Sequence, residues 1–146
     1  MDPAVSIPIL PTVSVILPAL DEELTIASCI EKIQAAFKDH SIQGEILVAD
    51  ASTDRTAETA KLLGATVIQP EKKGYGNAYL AAFEKARGKY IVMGDADDTY
   101  DFREIPLLLA PLQNGADLVI GSRFKGTIHP GSMSTLHRHI GNPLLT

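Results

Sequence analysis

The chain has 146 residues, enough for one domain with a hydrophobic core, and its 45% hydrophobic and 21% charged residues are typical of globular proteins. Its net charge of −5 argues against general nucleic-acid binding. The single cysteine, Cys29, excludes an intrachain disulfide framework and indicates a reducing, cytoplasmic compartment. No apolar run approaches the roughly 18 residues that span a bilayer. Residues 1–12 lack the basic start of a secretory signal, and we exclude them from the core as a leader segment.

Strands and helices are predicted to alternate along the rest of the chain. Apolar runs predict strands over residues 13–17, 45–48, 65–68, 90–93 and 117–120. Apolar residues at helical spacing predict helices over residues 21–40, 55–63, 77–87 and 103–113. We expect Pro18 to end the first strand, because proline cannot donate a hydrogen bond to a ladder. The alternation predicts an α/β fold with a doubly wound, mostly parallel sheet and flanking helices.

Three acidic residues, Asp95, Asp97 and Asp98, directly follow the fourth predicted strand. In open α/β sheets the carboxyl ends of the strands form the edge where ligands bind. Carboxylates this close repel one another unless solvent or a cation neutralises them. Asp95 and Asp97 therefore suit a hard cation, Mg²⁺ or Mn²⁺. The alternative is an Asp-rich turn without a ligand, since Asp is common where strands end.

The other strand ends also present polar side chains. Acidic and hydroxyl residues occupy 18–22 and 50–54, and Ser122 and Arg123 follow the fifth predicted strand. Carboxylates accept hydrogen bonds from ribose hydroxyls and from a base edge, and arginine binds phosphate through two donors. Lys72 and Lys73, in the loop between the third predicted strand and the helix predicted over residues 77–87, can add positive charge. This edge suits a sugar nucleotide whose diphosphate leaves with a metal as Lewis acid.

A specific resemblance rests on four ordered motifs, which are VSVILPALDEE, EILVADASTDRT, GYGNAYLAAFEKARGKYIVMGDADDTYD and DLVIGSRF. Together they resemble family-2 glycosyltransferases with a GT-A fold, a Rossmann-like nucleotide-binding domain. More narrowly, they resemble polyprenyl-phosphate sugar synthases of the dolichol-phosphate mannose synthase type. The resemblance extends from residue 13 to the end. We therefore assign residues 13–146 to one GT-A domain and expect it to be truncated on its acceptor side.

The resemblance implies roles for individual residues. Asp95 and Asp97 correspond to the metal-binding D-x-D, and Asp97 also belongs to the catalytic group. Asp98 follows the D-x-D, and the resemblance implies that it supports the metal shell. Arg123 corresponds to a basic residue near the donor or lipid phosphate. Arg138, in the basic tail, is the candidate for the acceptor phosphate. The residues expected to bind the nucleotide sugar are Pro18, Ala19, Asp21, Glu22, Asp50, Ser52, Lys73, Asp95 and Ala96.

The implied function is metal-dependent, inverting transfer of a sugar from a UDP- or GDP-sugar to a polyprenyl phosphate such as dolichyl or undecaprenyl phosphate. A lipid phosphate is already ionised near neutral pH, so the attack needs no carboxylate base. We expect the enzyme at the cytoplasmic face of a membrane. Apolar residues at helical spacing in the tail form a candidate membrane-facing segment, namely Leu136, Ile140, Leu144 and Leu145. The alternative is that they pack against the remainder of a longer protein.

Two alternatives stay open. The first is a glycosyltransferase with a sugar acceptor in polysaccharide or cell-wall synthesis, which needs a carboxylate base to take the proton of the hydroxyl. The second is a nucleotide-binding fragment that is inactive on its own. A sugar-phosphate nucleotidyltransferase fits less well, because PALDEE is acidic where that class has a glycine-rich basic loop. The motifs do not separate UDP from GDP, and they leave the sugar and the oligomeric state open.

Overall fold

Four parallel strands form the sheet of the computed structural model, which describes residues 10–122. They are β1 (Val13–Ala19), β2 (Gly44–Asp50), β3 (Thr66–Ile68) and β4 (Tyr90–Met93). The spatial order is β3-β2-β1-β4, and each neighbouring pair runs parallel. The strand order reverses at β1, since β2 and β3 extend to one side and β4 lies on the other. In such sheets ligands bind in the crevice at this reversal.

Four helices flank the sheet in the described part of the chain. They are α1 (Ile26–Asp39), α2 (Thr56–Leu62), α3 (Tyr75–Phe83) and α4 (Ile105–Gln113), with a 3-10 turn at Phe102–Glu104 before α4. The helix α1 begins later than predicted. Asp21, at the predicted start, has a left-handed φ of +57°, and the backbone N–H groups of Glu22 and Glu23 donate to the side chains of Thr56 and Asp54 ahead of the first helical residue. Among residues 10–122, none of the helices combines the length and apolar character needed to cross a bilayer.

The core has one layer on each face of the sheet. Successive residues of β1 point to opposite faces, as the strand period requires. Val13, Val15 and Leu17 pack in the larger cluster with residues of α1, of which Ile26, Ile30 and Ile33 are fully buried, as the helical spacing predicted. The smaller cluster contains Ile16, Leu47, Ala49, Ala78, Tyr79 and Ala82. Burial of one such large apolar side chain contributes about 1.5–3 kcal/mol.

The prediction that Pro18 ends the first strand was wrong. Strand β1 continues through Pro18, which pairs with Ala49, to Ala19. Gly94 N donates to Ile16 O, so the backbone groups of Ile16 face β4. The backbone groups of residues two apart in a strand face the same neighbouring strand. The nitrogen of Pro18 therefore faces the β4 side beyond the last residue of β4, where its missing N–H interrupts no ladder.

The fifth predicted strand, residues 117–120, is also absent from the structure. This segment joins no ladder within residues 10–122, and Leu118 and Ile120 are 74% and 77% exposed. An apolar run becomes a strand only when a neighbouring strand satisfies its backbone groups. The sheet nevertheless confirms the predicted α/β class, which depends on the four strands that do pair.

Candidate functional site

A cavity of about 270 Å³ lies at the carboxyl ends of β1 and β4. Its walls come from the end of β1 and the residues after it, from Ala51 after β2, from the loop before α3 with the first turn of that helix, and from the residues after β4. The predicted site residues that line it are Pro18, Ala19, Glu22, Lys73, Asp95, Ala96 and Asp97. The remaining lining residues, which sequence reasoning did not select, are Leu20, Ala51, Pro70, Gly74, Tyr75 and Ala78. Four segments that are distant in sequence thus form one pocket.

Asp95 and Asp97 both line this cavity, and each engages one carboxylate oxygen with uncharged donors. Tyr75 Oη donates to Asp95 Oδ1 at 2.8 Å. The N and Oγ1 atoms of Thr99 donate to Asp97 Oδ1 at 3.0 and 2.7 Å. The residues described contain no group of three or more His, Cys, Asp and Glu placed to hold a metal. Two carboxylates do fit Mg²⁺ or Mn²⁺ that completes its shell with water and substrate phosphates.

Asp98 points away from this pair, contrary to the expectation that it supports the metal shell. Its backbone φ of +62° lies in the left-handed region, and its carboxylate contacts α1. Ser28 Oγ donates to Asp98 Oδ2 at 3.0 Å, and Lys32 Nζ contacts Oδ1 at 2.8 Å. The Lys32 hydrogen bond, with help from Ser28, lowers the pKa of Asp98 against a smaller opposing effect of burial.

The loops after β1 and β2 are joined through Asp21, Ser52 and Asp50, which do not line the cavity. Ser52 Oγ donates to Asp50 Oδ1 at 2.5 Å and accepts from Asp21 N at 2.7 Å. Asp21 Oδ1 in turn accepts from Thr53 N at 2.8 Å. These three predicted binding residues therefore support the wall formed by Pro18, Ala19 and neighbouring residues.

Tyr75 is a candidate site residue that the sequence did not indicate. It begins α3 after Gly74, whose φ of +126° suits glycine. The residue lines the cavity and is 63% exposed. The rings of Tyr75 and Tyr79 pack edge to face, with their centroids 5.1 Å apart. The available signal was the spacing of these tyrosines, since residues four apart share a helix face. A hydrogen bond with Tyr79 tends to lower the pKa of Tyr75, but burial and the nearby Asp95 carboxylate outweigh it and raise that pKa.

Lys73 carries the positive charge among the residues that line the cavity. Its backbone carbonyl accepts from Asn77 Nδ2 at 2.9 Å, which fixes the loop that presents it. The predicted catalytic residues Arg123 and Arg138, and the apolar tail positions, lie outside the described residues. Positive charge at the described part of the site therefore comes from Lys73.

The sequence of this chain is similar to those of known glycosyltransferases. The chain matches the family model described as glycosyl transferase family 2 over residues 14–145. It is 60% identical over 139 residues to the low-salt glycan biosynthesis hexosyltransferase Agl6 of Haloferax volcanii, covering 94% of this chain and 34% of that protein. It is 34% identical over 110 residues to the dolichyl-phosphate hexose transferase of Haloferax volcanii, covering 75% of this chain and 47% of that protein.

A solved structure is similar as well. Glucosyl-3-phosphoglycerate synthase from Mycobacterium tuberculosis, in complex with Mn²⁺, UDP and glucosyl-3-phosphoglycerate, superposes with a TM-score of 0.60 at 33% identity, covering 70% of this chain and 39% of that one. The chain thus spans between about a third and a half of the length of these relatives. The predicted GT-A fold is confirmed, and the chain belongs to glycosyl transferase family 2.

Proposed function

We propose that this chain forms the donor-binding part of a metal-dependent, inverting glycosyltransferase that moves a sugar from a UDP- or GDP-sugar to a polyprenyl phosphate. The observation that carries the proposal is the shared cavity of Asp95, Asp97 and Lys73 at the strand-order reversal. Two carboxylates and one ammonium group suit a diphosphate that arrives with a divalent cation. The Mn²⁺ and UDP in the mycobacterial structure support this assignment.

The donor would be held by three parts of the cavity. Pro18, Ala19 and Glu22 form the wall for the base and ribose, where Glu22 can accept hydrogen bonds. Asp95 and Asp97 would hold Mg²⁺ or Mn²⁺ together with the diphosphate, beside the backbone of Ala96. Lys73 would neutralise phosphate charge. Asp21, Asp50 and Ser52 would act by keeping the β1 and β2 loops in place.

The transfer step is a single displacement. An ionised phosphate oxygen of the acceptor forms a bond to the anomeric carbon of the sugar, and the bond from that carbon to the donor diphosphate breaks. The bonding electron pair leaves on the diphosphate, and the configuration of the sugar inverts. A divalent cation, when bound, supplies Lewis-acid stabilisation of that leaving group. The residues of the chain contribute positioning and charge neutralisation.

The acceptor assignment is supported by the relatives. One of them is named a dolichyl-phosphate hexose transferase, which favours a polyprenyl phosphate and, with it, action at the cytoplasmic face of a membrane. Arg123 and Arg138 are the proposed contacts for phosphate. A second candidate is transfer to a sugar acceptor, supported by the name of the glycan biosynthesis hexosyltransferase. That reaction needs a carboxylate base for the acceptor hydroxyl.

The proposal is tested by calorimetric titration of UDP, GDP and their sugar conjugates, with and without Mn²⁺. We expect Mn²⁺-dependent binding of one nucleotide to the wild-type chain and its loss in Asp97→Asn. The matched control is Asp117→Asn, which removes a charge from an exposed position away from the cavity. Absence of nucleotide binding by the wild type, or equal binding by Asp97→Asn, contradicts the donor site. Transfer of labelled sugar to dolichyl phosphate, compared with a sugar acceptor, then separates the two candidates.

A further inference from the structure

We propose that Lys32 is a positioning residue for the metal site: with Ser28 and Asp98 it forms an anchor on α1 that fixes the backbone around Asp97. The inference rests on the proposed function, because it concerns the same cation between Asp95 and Asp97. Neither Lys32 nor Ser28 lines the cavity. Their effect on the cation therefore passes through the segment that carries the carboxylates.

The anchor holds the residue after Asp97. Ser28 and Lys32 are four residues apart on α1 and share one face of the helix. Each contacts a different oxygen of Asp98, at 3.0 Å from Ser28 Oγ and 2.8 Å from Lys32 Nζ. The side chains of Lys32 and Asp98 are each 28% exposed, so solvent screens this ion pair less than an exposed pair.

A second contact from α1 holds the residue before Asp97. Cys29 Sγ donates a hydrogen bond to the carbonyl oxygen of Ala96 at 3.5 Å, and Ala96 is buried in the main core cluster. Asp97 itself is exposed. Side chains of α1 therefore hydrogen-bond to both neighbours of Asp97, which are Ala96 and Asp98, while Asp97 itself lines the cavity.

The backbone conformation of Asp98 explains why the contacts with α1 are needed to position Asp97. A φ of +62° is uncommon for a residue with a side chain, although Asp tolerates it better than most. This conformation sends two consecutive carboxylates in different directions, Asp97 to the cavity and Asp98 to α1. Without the contacts to Ser28 and Lys32, we expect the segment to leave this uncommon conformation and to move Asp97 away from Asp95.

Two possible roles of Lys32, one through its charge and one through the position of Asp97, predict opposite changes in cation affinity when Lys32 is replaced. If Lys32 acted only through its charge, its removal would strengthen the binding of a divalent cation, because one nearby positive charge is lost. If Lys32 acts through the position of Asp97, its removal weakens the binding of that cation. The sign of the change in cation affinity thus identifies the role.

The experiment measures Mn²⁺ affinity by electron paramagnetic resonance of free Mn²⁺, in the presence of whichever of UDP or GDP binds the wild type. We expect Lys32→Met to weaken Mn²⁺ binding roughly tenfold, as for other groups that orient metal ligands. Lys32→Arg keeps a charged donor and should recover most of the affinity. The matched control, Lys38→Met, changes an exposed lysine of the same helix and should leave the affinity unchanged.

Unchanged or tighter Mn²⁺ binding by Lys32→Met, with normal binding by the wild type, overturns the anchor and leaves the proposed function standing. Absence of Mn²⁺-dependent nucleotide binding by the wild type overturns both. Thermal unfolding of each variant is recorded, and affinities are measured well below the midpoint, so that loss of stability alone does not move them. If Lys32→Met does not fold, Ser28→Ala replaces it. This variant removes one hydrogen bond from an uncharged donor to Asp98 and should weaken Mn²⁺ binding roughly threefold.

Discussion

Ser14 and Glu45 face each other in register on β1 and β2, and Ser14 Oγ donates a hydrogen bond of 2.6 Å to Glu45 Oε1. Ser14 is fully buried, and its Oγ accepts from Gly88 N at 2.8 Å. Arg87 donates to Glu45 Oε2 from Nε at 3.0 Å and from Nη2 at 2.7 Å. This cluster fastens the segment after α3 to the sheet near the amino ends of the strands, away from the cavity.

The first prediction concerns the acid stability that Glu45 provides. Burial tends to raise the pKa of Glu45, but the hydrogen bonds from Ser14 and Arg87 outweigh burial and lower that pKa below 4.5. The unfolded chain therefore binds the proton more readily than the folded chain. The stabilisation is present above pH 4.5 and is lost as the pH falls through the folded-state pKa.

Glu45→Gln should reduce the free energy of unfolding at pH 7 by about 1–3 kcal/mol, since it removes a charged acceptor from Arg87. It should also flatten the dependence of that free energy on pH between about pH 5 and pH 3. Urea unfolding at several pH values measures both effects. Glu84→Gln, at an exposed position, is the control. A variant with the same acid profile as the wild type would contradict this role of Glu45.

The second prediction compares two glycines. A Cβ atom on Gly88 would overlap backbone atoms of Val13 and Ser14, which cannot rotate away as a side chain does. Gly88→Ala should therefore destabilise the fold by about 1–3 kcal/mol. Gly76 lies inside α3 with nothing within 4 Å of an added Cβ, so Gly76→Ala should stabilise by about 0.5–1 kcal/mol. Denaturant unfolding checks both, and destabilisation of equal size at the two sites would refute the steric argument.

The sequence predicted the parts of this fold that depend on side-chain pattern. The strand β4 was predicted at its observed bounds, and Ile26, Ile30 and Ile33 are buried as their spacing indicated. The continuation of β1 through Pro18 was not predictable from that residue alone, because it depends on where β4 ends beside it. The same holds for residues 117–120, whose apolar run has no neighbouring strand within the described residues.

In the site, too, some features follow from the sequence pattern and others depend on tertiary contacts. The edge that collects Asp95, Asp97 and Glu22 follows from the parallel topology, which the alternation of strands and helices predicted. The direction of the Asp98 carboxylate follows instead from one backbone angle and from partners on α1, nearly 70 residues earlier in the chain. The contact of Tyr75 with Asp95 depends in the same way on how α3 lies against the sheet.

The third prediction concerns the reactivity of Cys29. Burial is the main cause that raises the pKa of this thiol to about 11, and the Asp98 carboxylate adds to it. The thiolate is the nucleophile, so the native protein should react with iodoacetamide at pH 8 at least about 100-fold more slowly than the urea-unfolded chain. Mass spectrometry of timed samples measures the two rates. Native labelling as fast as that of the unfolded chain would show that α1 does not protect Cys29.

The last prediction separates scaffolding from direct binding at Asp21. Its φ of +57° is left-handed, and its Oδ1 accepts from Thr53 N at 2.8 Å and from Thr53 Oγ1 at 3.3 Å. Asn tolerates this backbone region and keeps the oxygen acceptor, whereas Ala does neither. Asp21→Asn should therefore retain stability and nucleotide affinity.

Asp21→Ala should lower the free energy of unfolding by about 1–3 kcal/mol and weaken nucleotide binding in parallel, because the wall containing Pro18 and Ala19 loses its support. Urea unfolding and calorimetry on the same preparations measure the two quantities. If Asp21 instead contacts the nucleotide directly, Asp21→Ala loses nucleotide affinity while its unfolding curve stays that of the wild type. The joint change in stability and affinity thus assigns the carboxylate to the loop rather than to the ligand.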